Sequence, residues 1–260
     1  MESPFRDVKC TVVTSFTEEV YETYAKAFLD SFAEHWPANV GLVVYYEGGT
    51  PPGGHGVEWR AYGEVVGLAD WETRIAPFSL MSGMNGHEYD INFDARMARK
   101  AFIQCHGART LRGKVFWIDA DVIAHAPVPD TFLDEVLPDD KMCCFLGRDG
   151  WCYTESGFIG FNTDHQACPT FMAAYLGAFT SGAIFTQPGW HDCHGFDMAR
   201  RAFDPALFVN LATGLPEGCM HPFVNSVLGR YMDHRKGPRK ESRTSREDLL
   251  IDRSEAYWRG

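Results

Sequence analysis

The sequence lacks several features that would identify particular classes of protein. Its 260 residues include no apolar run near the roughly 20 residues that span a bilayer, and residues 1–10 carry charges where a signal peptide would be apolar. The eight cysteines lack the regular spacing of a small disulfide-stabilised secreted domain. The glycine-rich segment 48–54 has no Gly-Lys-Ser/Thr of a phosphate-binding loop. We therefore expect a globular cytoplasmic protein with reduced thiols.

A surplus of positive charge is also missing. The formal net charge is −11, which argues against a general nucleic-acid-binding protein. The charge is unevenly distributed, however, because residues 94–114 and residues 230–246 each carry a net charge of +5. These two basic segments are either anion-binding surfaces or solvated basic faces, and composition alone leaves both interpretations open.

The order of apolar segments predicts an α/β protein. Buried-strand patterns occur at residues 10–16, 40–46 and 114–118, and apolar residues at helical spacing lie between them. One of the intervening helices is expected over residues 94–109. A strand-helix-strand order favours a mainly parallel central sheet flanked by helices. We expect one domain over residues 1–260, with the more polar residues 230–260 wrapping around the core.

Two aspartates follow the third of these strands. Asp119 and Asp121 come directly after the apolar run 114–118 and are separated by Ala120. Residues two apart in an extended segment project to the same side, so the two carboxylates can approach one point. A hard divalent ion such as Mg²⁺ or Mn²⁺ would relieve their repulsion and take further ligands from substrate phosphates. The alternative is that both aspartates only form hydrogen bonds within a turn.

A second candidate for the same site lies near the C-terminus, in the segment HRKGPRK at residues 234–240. The imidazole of His234 could join carboxylates around Mn²⁺. Gly237 would allow the backbone to approach a ligand, and Lys240 would neutralise phosphate. Together with the aspartates, these residues are typical of a site for a metal and a diphosphate.

These motifs resemble the retaining, metal-dependent glycosyltransferases of the GT-A fold, the group that includes glycogenin and lipopolysaccharide galactosyltransferases. Asp119-Ala120-Asp121 is similar to the family's Asp-x-Asp motif, and the segment ESGFIGFN at residues 155–162 to its Asn-Ser/Ala-Gly element. His234, Gly237 and Lys240 are similar to its C-terminal His-x-x-Gly-x-x-Lys. Glycosyltransferases encoded by viruses that modify hydroxymethylated pyrimidines in DNA share this general pattern.

The resemblance implies a sugar transfer from a nucleotide-diphosphate sugar, most simply a UDP-sugar, to an acceptor hydroxyl with retention of configuration. The acceptor would be a glycan, such as lipopolysaccharide, or a hydroxymethylated base in DNA, in a bacterial or virus-infected cytoplasm. Metal ligands would be Asp119, Asp121 and His234. Contacts to the donor would come from the following residues: Thr14, Ser15, Arg96, Lys100, Asp119, Gly237 and Lys240.

The sequence departs from the family on the side of the reacting sugar. Glu155 replaces an asparagine, and the segment WHDCHGFD at residues 190–197 only loosely resembles the family's Asp-Gln-Asp. Either Glu155 or Asp192 would then serve as the reaction-side carboxylate, and Trp190 is an aromatic candidate for stacking on a sugar or base. A different class of function is a non-catalytic sugar-nucleotide-binding or assembly protein with a degenerate metal site.

The residue types also suggest a zinc site. His191, Cys193, His194, Cys219 and His221 are the usual ligand types. Their spacing matches no familiar zinc finger, so we expect buried thiols and partly exposed histidines here rather than a metal centre.

Overall fold

The fold was obtained as a computed structural model, which describes residues 8–54, 56–76, 91–148, 152–241 and 244–260, without the side chains of residues 91–96, 238 and 241. The strands are Cys10–Thr17 (β1), Val40–Glu47 (β2), Glu58–Ala61 (β3), Lys114–Ile118 (β4), Val122–Ala124 (β5), Cys143–Leu146 (β6), Glu155–Asn162 (β7), Phe208–Asn210 (β8) and Met232–His234 (β9). The helices are Lys26–His35 (α1), Leu68–Ile75 (α2), Ile91–Thr110 (α3), Phe132–Val136 (α4), Cys168–Thr180 (α5), Asp192–Arg200 (α6), Pro222–Asn225 (α7) and Ala256–Arg259 (α8).

Seven strands form the central sheet in the order β3-β2-β1-β4-β7-β6-β8. Strands β3, β2, β1 and β4 are parallel to one another, whereas β7 is antiparallel to both β4 and β6. The prediction of an α/β architecture with a mainly parallel sheet is therefore confirmed. The three strand predictions and the helix near 94–109 are confirmed as well, with boundaries that differ by a few residues.

The sheet is buried on both faces, as parallel sheets are. In β4 all five residues are buried, and Val115 and Trp117 join the apolar cluster on one face while Phe116 and Ile118 join the cluster on the other. A strand this apolar belongs in the middle of a sheet, and β4 lies there between β1 and β7.

The C-terminal residues form part of the core. Strand β9 pairs with β5 in a separate two-stranded ribbon, and Met232 and Trp258 are buried in the same apolar cluster as β4. The expectation that residues 230–260 would wrap around the domain is wrong, because Met232 and Trp258 are part of the buried core. The indole of Trp258 also donates a hydrogen bond to the carbonyl of Gly229. All eight cysteines are free.

Candidate metal and donor site

The site lies where β4 ends. The amide of Asp119 donates a hydrogen bond to the carbonyl of Gly157 on β7, and the amide of Val122 donates one to the carbonyl of Asp119. Both hydrogen bonds are 3.1 Å long. These bonds hold Asp119 and Asp121 in a tight turn between β4 and β5. In a mainly parallel sheet the loops at the carboxyl ends of the strands converge, so this edge is where ligands bind.

The ribbon of β5 and β9 delivers a third side chain from the far end of the sequence. Its antiparallel register places Val122 opposite His234, and the amide of Arg235 donates to the carbonyl of Asp121 at 3.1 Å. As a result, His234 Nε2 lies 3.1 Å from Asp121 Oδ1 and 3.6 Å from Asp119 Oδ2. Three potential ligand atoms therefore face one another.

Glu155, the first residue of β7, lies behind His234. Its Oε1 is 2.9 Å from His234 Nδ1, and its Oε2 accepts a longer contact of 3.4 Å from the amide of Phe223. With the proton on Nδ1 facing Glu155, the lone pair of Nε2 faces the two aspartates. Carboxylates behind metal-binding imidazoles orient them in this way.

Gly157 provides the space for this arrangement. A Cβ at that position would lie 2.4 Å from His234 Cε1 and 2.5 Å from Nδ1, which no real side chain tolerates. Sequence analysis did not single out this glycine. An isolated glycine within an apolar strand is nevertheless a signal that another group approaches the backbone closely.

Each carboxylate of the cluster has a lysine partner. Lys100 Nζ lies 2.8 Å from Asp119 Oδ1, and Lys240 Nζ lies 2.9 Å from Asp121 Oδ2. Lys236, which sequence analysis passed over although it stands within HRKGPRK, lies 2.6 Å from Glu155 Oε1. The indole of Trp117 donates a further hydrogen bond of 2.7 Å to Asp119 Oδ1.

These contacts shift the pKa values of Asp121, Glu155 and His234. Burial opposes ionisation of Asp121, but the positive charges of His234 and Lys240 outweigh it and hold the pKa of Asp121 well below its usual range. Burial likewise opposes ionisation of Glu155, and Lys236 with His234 keeps the pKa of Glu155 low. Burial disfavours the imidazolium of His234, yet the carboxylates of Asp121 and Glu155 raise its pKa to about 9.

A cavity of about 700 Å³ opens beside Asp119 and Asp121. Donor-site candidates that line it are Ser15, Lys100 and Lys240. Arg99, which with Arg96 and Lys100 matches the basic residue that the resemblance implies on the helix before β4, lines it as well. The other lining residues were not predicted from the sequence as donor contacts: Phe16, Thr17, Glu18, Glu19, Val20, Tyr24, Glu47, Gly48, Tyr62, Met97, Trp117 and Ala120. Its volume lies within the range of about 300–1,000 Å³ typical of small-molecule sites.

Two predicted donor-site residues, Thr14 and Gly237, do not line this cavity. Thr14 is fully buried and is not among the residues that line it, whereas its neighbour Ser15 is. Gly237 has a φ of +58°, the left-handed conformation that glycine adopts most easily, and it begins the 3₁₀ turn that carries Lys240 to the cavity. Arg96 lies in α3, but its side chain is outside the described residues.

Neither candidate for the reaction-side carboxylate lines the cavity. Glu155 is engaged behind His234, as described above. Asp192 is buried at the start of α6, and its Oδ2 lies 3.4 Å from Lys100 Nζ. Burial raises the pKa of Asp192 above its ordinary value despite that ammonium group. Trp190 is partly buried and packs edge-on against Phe185, with ring centroids 4.8 Å apart.

Comparisons with solved structures agree with the architecture. The apo crystal structure of mouse xyloside xylosyltransferase 1 superposes with a TM-score of 0.50 at 11% identity, covering 78% of this chain and 85% of that one. The apo structure of the bifunctional glycosyltransferase WbbM also gives a TM-score of 0.50, at 16% identity, covering 81% of this chain but only 40% of WbbM. No protein-family model matches the sequence, and a search of curated proteins finds no match. The sheet topology and these neighbours show that the chain has the GT-A glycosyltransferase fold.

Proposed function

We propose that the chain is a metal-dependent glycosyltransferase that moves a sugar from a nucleotide-diphosphate sugar to an acceptor hydroxyl. The observation that supports this proposal best is the convergence of Asp119, Asp121 and His234 beside a cavity on a GT-A fold. On this proposal residues 1–260 act as one domain, in which the segment 230–260 completes the donor site.

The three side chains fit a divalent ion such as Mn²⁺ or Mg²⁺. Carboxylate oxygens suit either ion, and an imidazole ligand favours Mn²⁺. Asp121 Oδ1 is buried and has no aligned hydrogen-bond donor among the described residues, although His234 Nε2 is 3.1 Å away. A cation bound between these two atoms would replace the Nε2 proton of His234 and accept a lone pair from each. When bound, the ion would stabilise the negative charge of the diphosphate leaving group.

Glu155 serves as a positioning residue in this proposal. Its carboxylate is held by His234 Nδ1 and Lys236 and does not line the cavity. The placement supports a role in fixing the tautomer and the ring orientation of His234. It gives no support to direct attack by Glu155 on the donor sugar.

Lys240 and Lys100 neutralise the donor diphosphate. Both ammonium groups line the cavity and both now contact the aspartates, with Lys240 on Asp121 and Lys100 on Asp119. A cation added between the carboxylates would take over part of this neutralisation and leave the lysines available for phosphate oxygens. Ser15, near the end of β1, lines the cavity and would contact the nucleoside of a UDP-sugar.

Asp192 remains the candidate for the reaction side, through its partner Lys100. Lys100 Nζ bridges Asp192 and Asp119, so a shift of this lysine toward phosphate would change the charge around Asp192. Retention of configuration would then proceed either with a carboxylate nucleophile or with the departing phosphate oxygen as the base.

The acceptor is proposed to be a hydroxyl of a glycan, such as lipopolysaccharide. The alternative, a hydroxymethylated pyrimidine in DNA, is supported by the two basic segments, but about half of their described Lys and Arg side chains are paired with carboxylates within the molecule. Lys100 and Lys114 are paired with aspartates in the first segment, and Lys236, Arg239 and Lys240 are paired with carboxylates in the second. One labelled donor offered to lipopolysaccharide, hydroxymethylated DNA and unmodified DNA decides between them.

The proposal is tested with a panel of nucleotide-sugars in the presence of Mn²⁺, measuring release of the nucleoside diphosphate. Asp121→Asn should lower release at least about 100-fold while the circular-dichroism spectrum stays unchanged, because it removes a charged ligand. Asp130→Asn, the same change at an exposed turn residue, is the control. Donor binding without release by the native chain would favour the non-catalytic sugar-nucleotide-binding alternative. Full activity in saturating EDTA would refute the metal site.

A further inference from the structure

A second group of possible metal ligands lies at the start of α6. His191, Cys193 and His194 each offer a ligand atom, and these atoms all lie within 4.8 Å of one another. His191 immediately precedes the helix, and Cys193 and His194 belong to its first turn. The other two residues of the sequence-level zinc candidate are not part of this group, since His221 Nδ1 is paired with Asp248 Oδ2 at 2.6 Å and Cys219 is buried apart from the group.

The backbone holds the three side chains in place. The amides of His194 and Gly195 both donate to the carbonyl of His191, at 3.1 and 3.3 Å, so the turn is closed before any ligand binds. The two imidazole rings lie with their centroids 5.2 Å apart. The ring of Tyr153 packs edge-on against the ring of His194, with the centroids 3.8 Å apart, and restricts the rotation of the imidazole.

Gly189 lies against both imidazoles. A Cβ there would lie 3.0 Å from His194 Cε1 and 3.4 Å from His191 Nε2, so the ring of His194 would have to shift by a few tenths of an ångström. The group therefore consists of two histidines that lie beside a glycine and a thiol in the same turn. The donors are all of the borderline-to-soft type.

We propose that His191, Cys193 and His194 bind a zinc ion. Imidazole nitrogen and thiolate sulfur are both usual zinc ligands, and a tetrahedral ion held by these three would keep a fourth position for water or another ligand. The set shares no residue with the Asp119, Asp121 and His234 group, whose two carboxylates suit a harder ion. The inference is therefore independent of the proposed function.

Zinc at this position would stabilise the turn that carries Asp192. Asp192 stands between His191 and Cys193, and its carboxylate faces Lys100. A metal bound by its neighbours would fix the first turn of α6 and, with it, the orientation of Asp192.

The first test is the zinc content of the purified full chain after dialysis against metal-free buffer. We expect about one zinc per chain, as for a site with three protein ligands, and near-complete loss in Cys193→Ser and in His194→Gln. Cys152→Ser, a change of a partly exposed thiol outside the group, and Asp121→Asn should both retain the metal. Thermal melting of every variant shows whether it is folded.

Cobalt substitution gives a readout that does not depend on the variants folding. A thiolate ligand produces a charge-transfer band in the near ultraviolet, and the group of Asp119, Asp121 and His234 has no thiol to produce one. The native chain loaded with one equivalent of Co²⁺ should show this band, and Asp121→Asn should keep it. Native protein that retains no zinc and shows no such band, or equal loss of metal in Cys193→Ser and Cys152→Ser, would overturn the assignment.

Discussion

The charges of the site are balanced residue by residue. Asp119, Asp121 and Glu155 are three carboxylates near one point, and each has its own lysine within 2.9 Å. Asp121 and Glu155 are buried, and without these ammonium groups they would tend to take up protons, because an unpaired charge is costly away from water. The pairing keeps these two acids ionised.

Glu155→Gln distinguishes a positioning role from a catalytic one. The change keeps an acceptor for His234 Nδ1 but removes the charge that stabilises the orientation of the ring, so we expect the Kd for Mn²⁺ to rise about tenfold. The measurement is Mn²⁺ titration by calorimetry, followed by kcat at saturating Mn²⁺. If Glu155 only positions His234, saturating metal restores kcat.

Loss of kcat that no concentration of Mn²⁺ restores would instead mean that Glu155 takes part in the reaction. The metal affinity of the variant provides the control, because loss of a nucleophile outside the metal site would leave that affinity unchanged. A positioning role therefore predicts a higher Kd for Mn²⁺ and a kcat that saturating Mn²⁺ restores, whereas a catalytic role predicts an unchanged Kd and a lost kcat.

Strand β7 and the ribbon of β5 and β9 set the position of His234 between them. β7 brings Glu155 and Gly157 to one side of the imidazole, and β5 brings Asp121 to the other. A displacement of β9 by one residue would turn His234 to the opposite face, since side chains alternate along a strand. The site therefore depends on strand register as much as on residue type.

Gly157→Ala tests this dependence. The added Cβ would lie 2.4 Å from His234 Cε1, so the ring must leave the position in which Nε2 faces the aspartates. We expect the affinity for Mn²⁺ to fall at least about tenfold, as when an orienting partner of a metal ligand is lost. Gly177→Ala is the matched control, because a Cβ at that position in α5 meets nothing within 4 Å. Equal Mn²⁺ affinity in both variants would contradict the close approach.

The 3₁₀ turn Gly237–Glu241 presents Lys240 to the cavity. Lys240→Ala should raise the KM for the donor and lower kcat, because the diphosphate gains negative charge as the sugar leaves. Steady-state kinetics at fixed Mn²⁺ provides the measurement. Lys141→Ala, which removes a lysine paired with Asp140 outside the cavity, should leave both constants unchanged. Unaltered kinetics in Lys240→Ala would place this turn among ordinary solvated basic segments.

The C-terminal residues are held to the rest of the molecule by a ring contact. His125, just after β5, stacks on Tyr257 with centroids 4.0 Å apart and planes 3° apart, and Trp258 packs edge-on against the same imidazole. Burial lowers the pKa of His125 to about 4 from an ordinary 6.5, against the opposing charge of Asp233. His125 is therefore neutral in the folded protein near pH 5.

This shift predicts a loss of stability at acid pH. Between about pH 6.5 and 4 the unfolded chain binds a proton at His125 that the folded chain does not, so the free energy of unfolding falls as the pH drops through that window. One such group contributes a slope of up to about 1.4 kcal/mol per pH unit. His221, whose pKa is also lowered to about 4 by burial, contributes in the same direction.

His125→Phe keeps an aromatic ring against Tyr257 and removes the titration. Urea unfolding at pH 7 and pH 5 should show a smaller loss of stability for the variant than for the native chain, with the remaining loss due to His221 and the carboxyl groups. Equal losses in the two proteins would show that His125 does not contribute to the acid sensitivity.

Across the whole molecule, no helix among the described residues is long and apolar enough to cross a membrane. The two basic segments illustrate how a sequence count differs from a surface. Each carries +5 when counted along the chain, yet Lys100, Lys114, Lys236 and Lys240 all contact carboxylates from elsewhere in the fold. The positive charge of these four lysines is therefore balanced by carboxylates within the molecule.

The sequence by itself determined the central strands, the long helix before β4 and the position of Asp119 and Asp121 at a strand end. Those features follow from local patterns, namely the length and apolarity of a buried strand and the two-residue alternation of side chains. The pairing of His234 with Asp121 depends instead on the register between β5 and β9, which no local pattern contains. The tertiary structure alone also placed Glu155 behind His234, paired lysines of the basic segments with carboxylates, and gathered His191, Cys193 and His194. Each of these outcomes depends on which side chains the folded backbone turns toward one another.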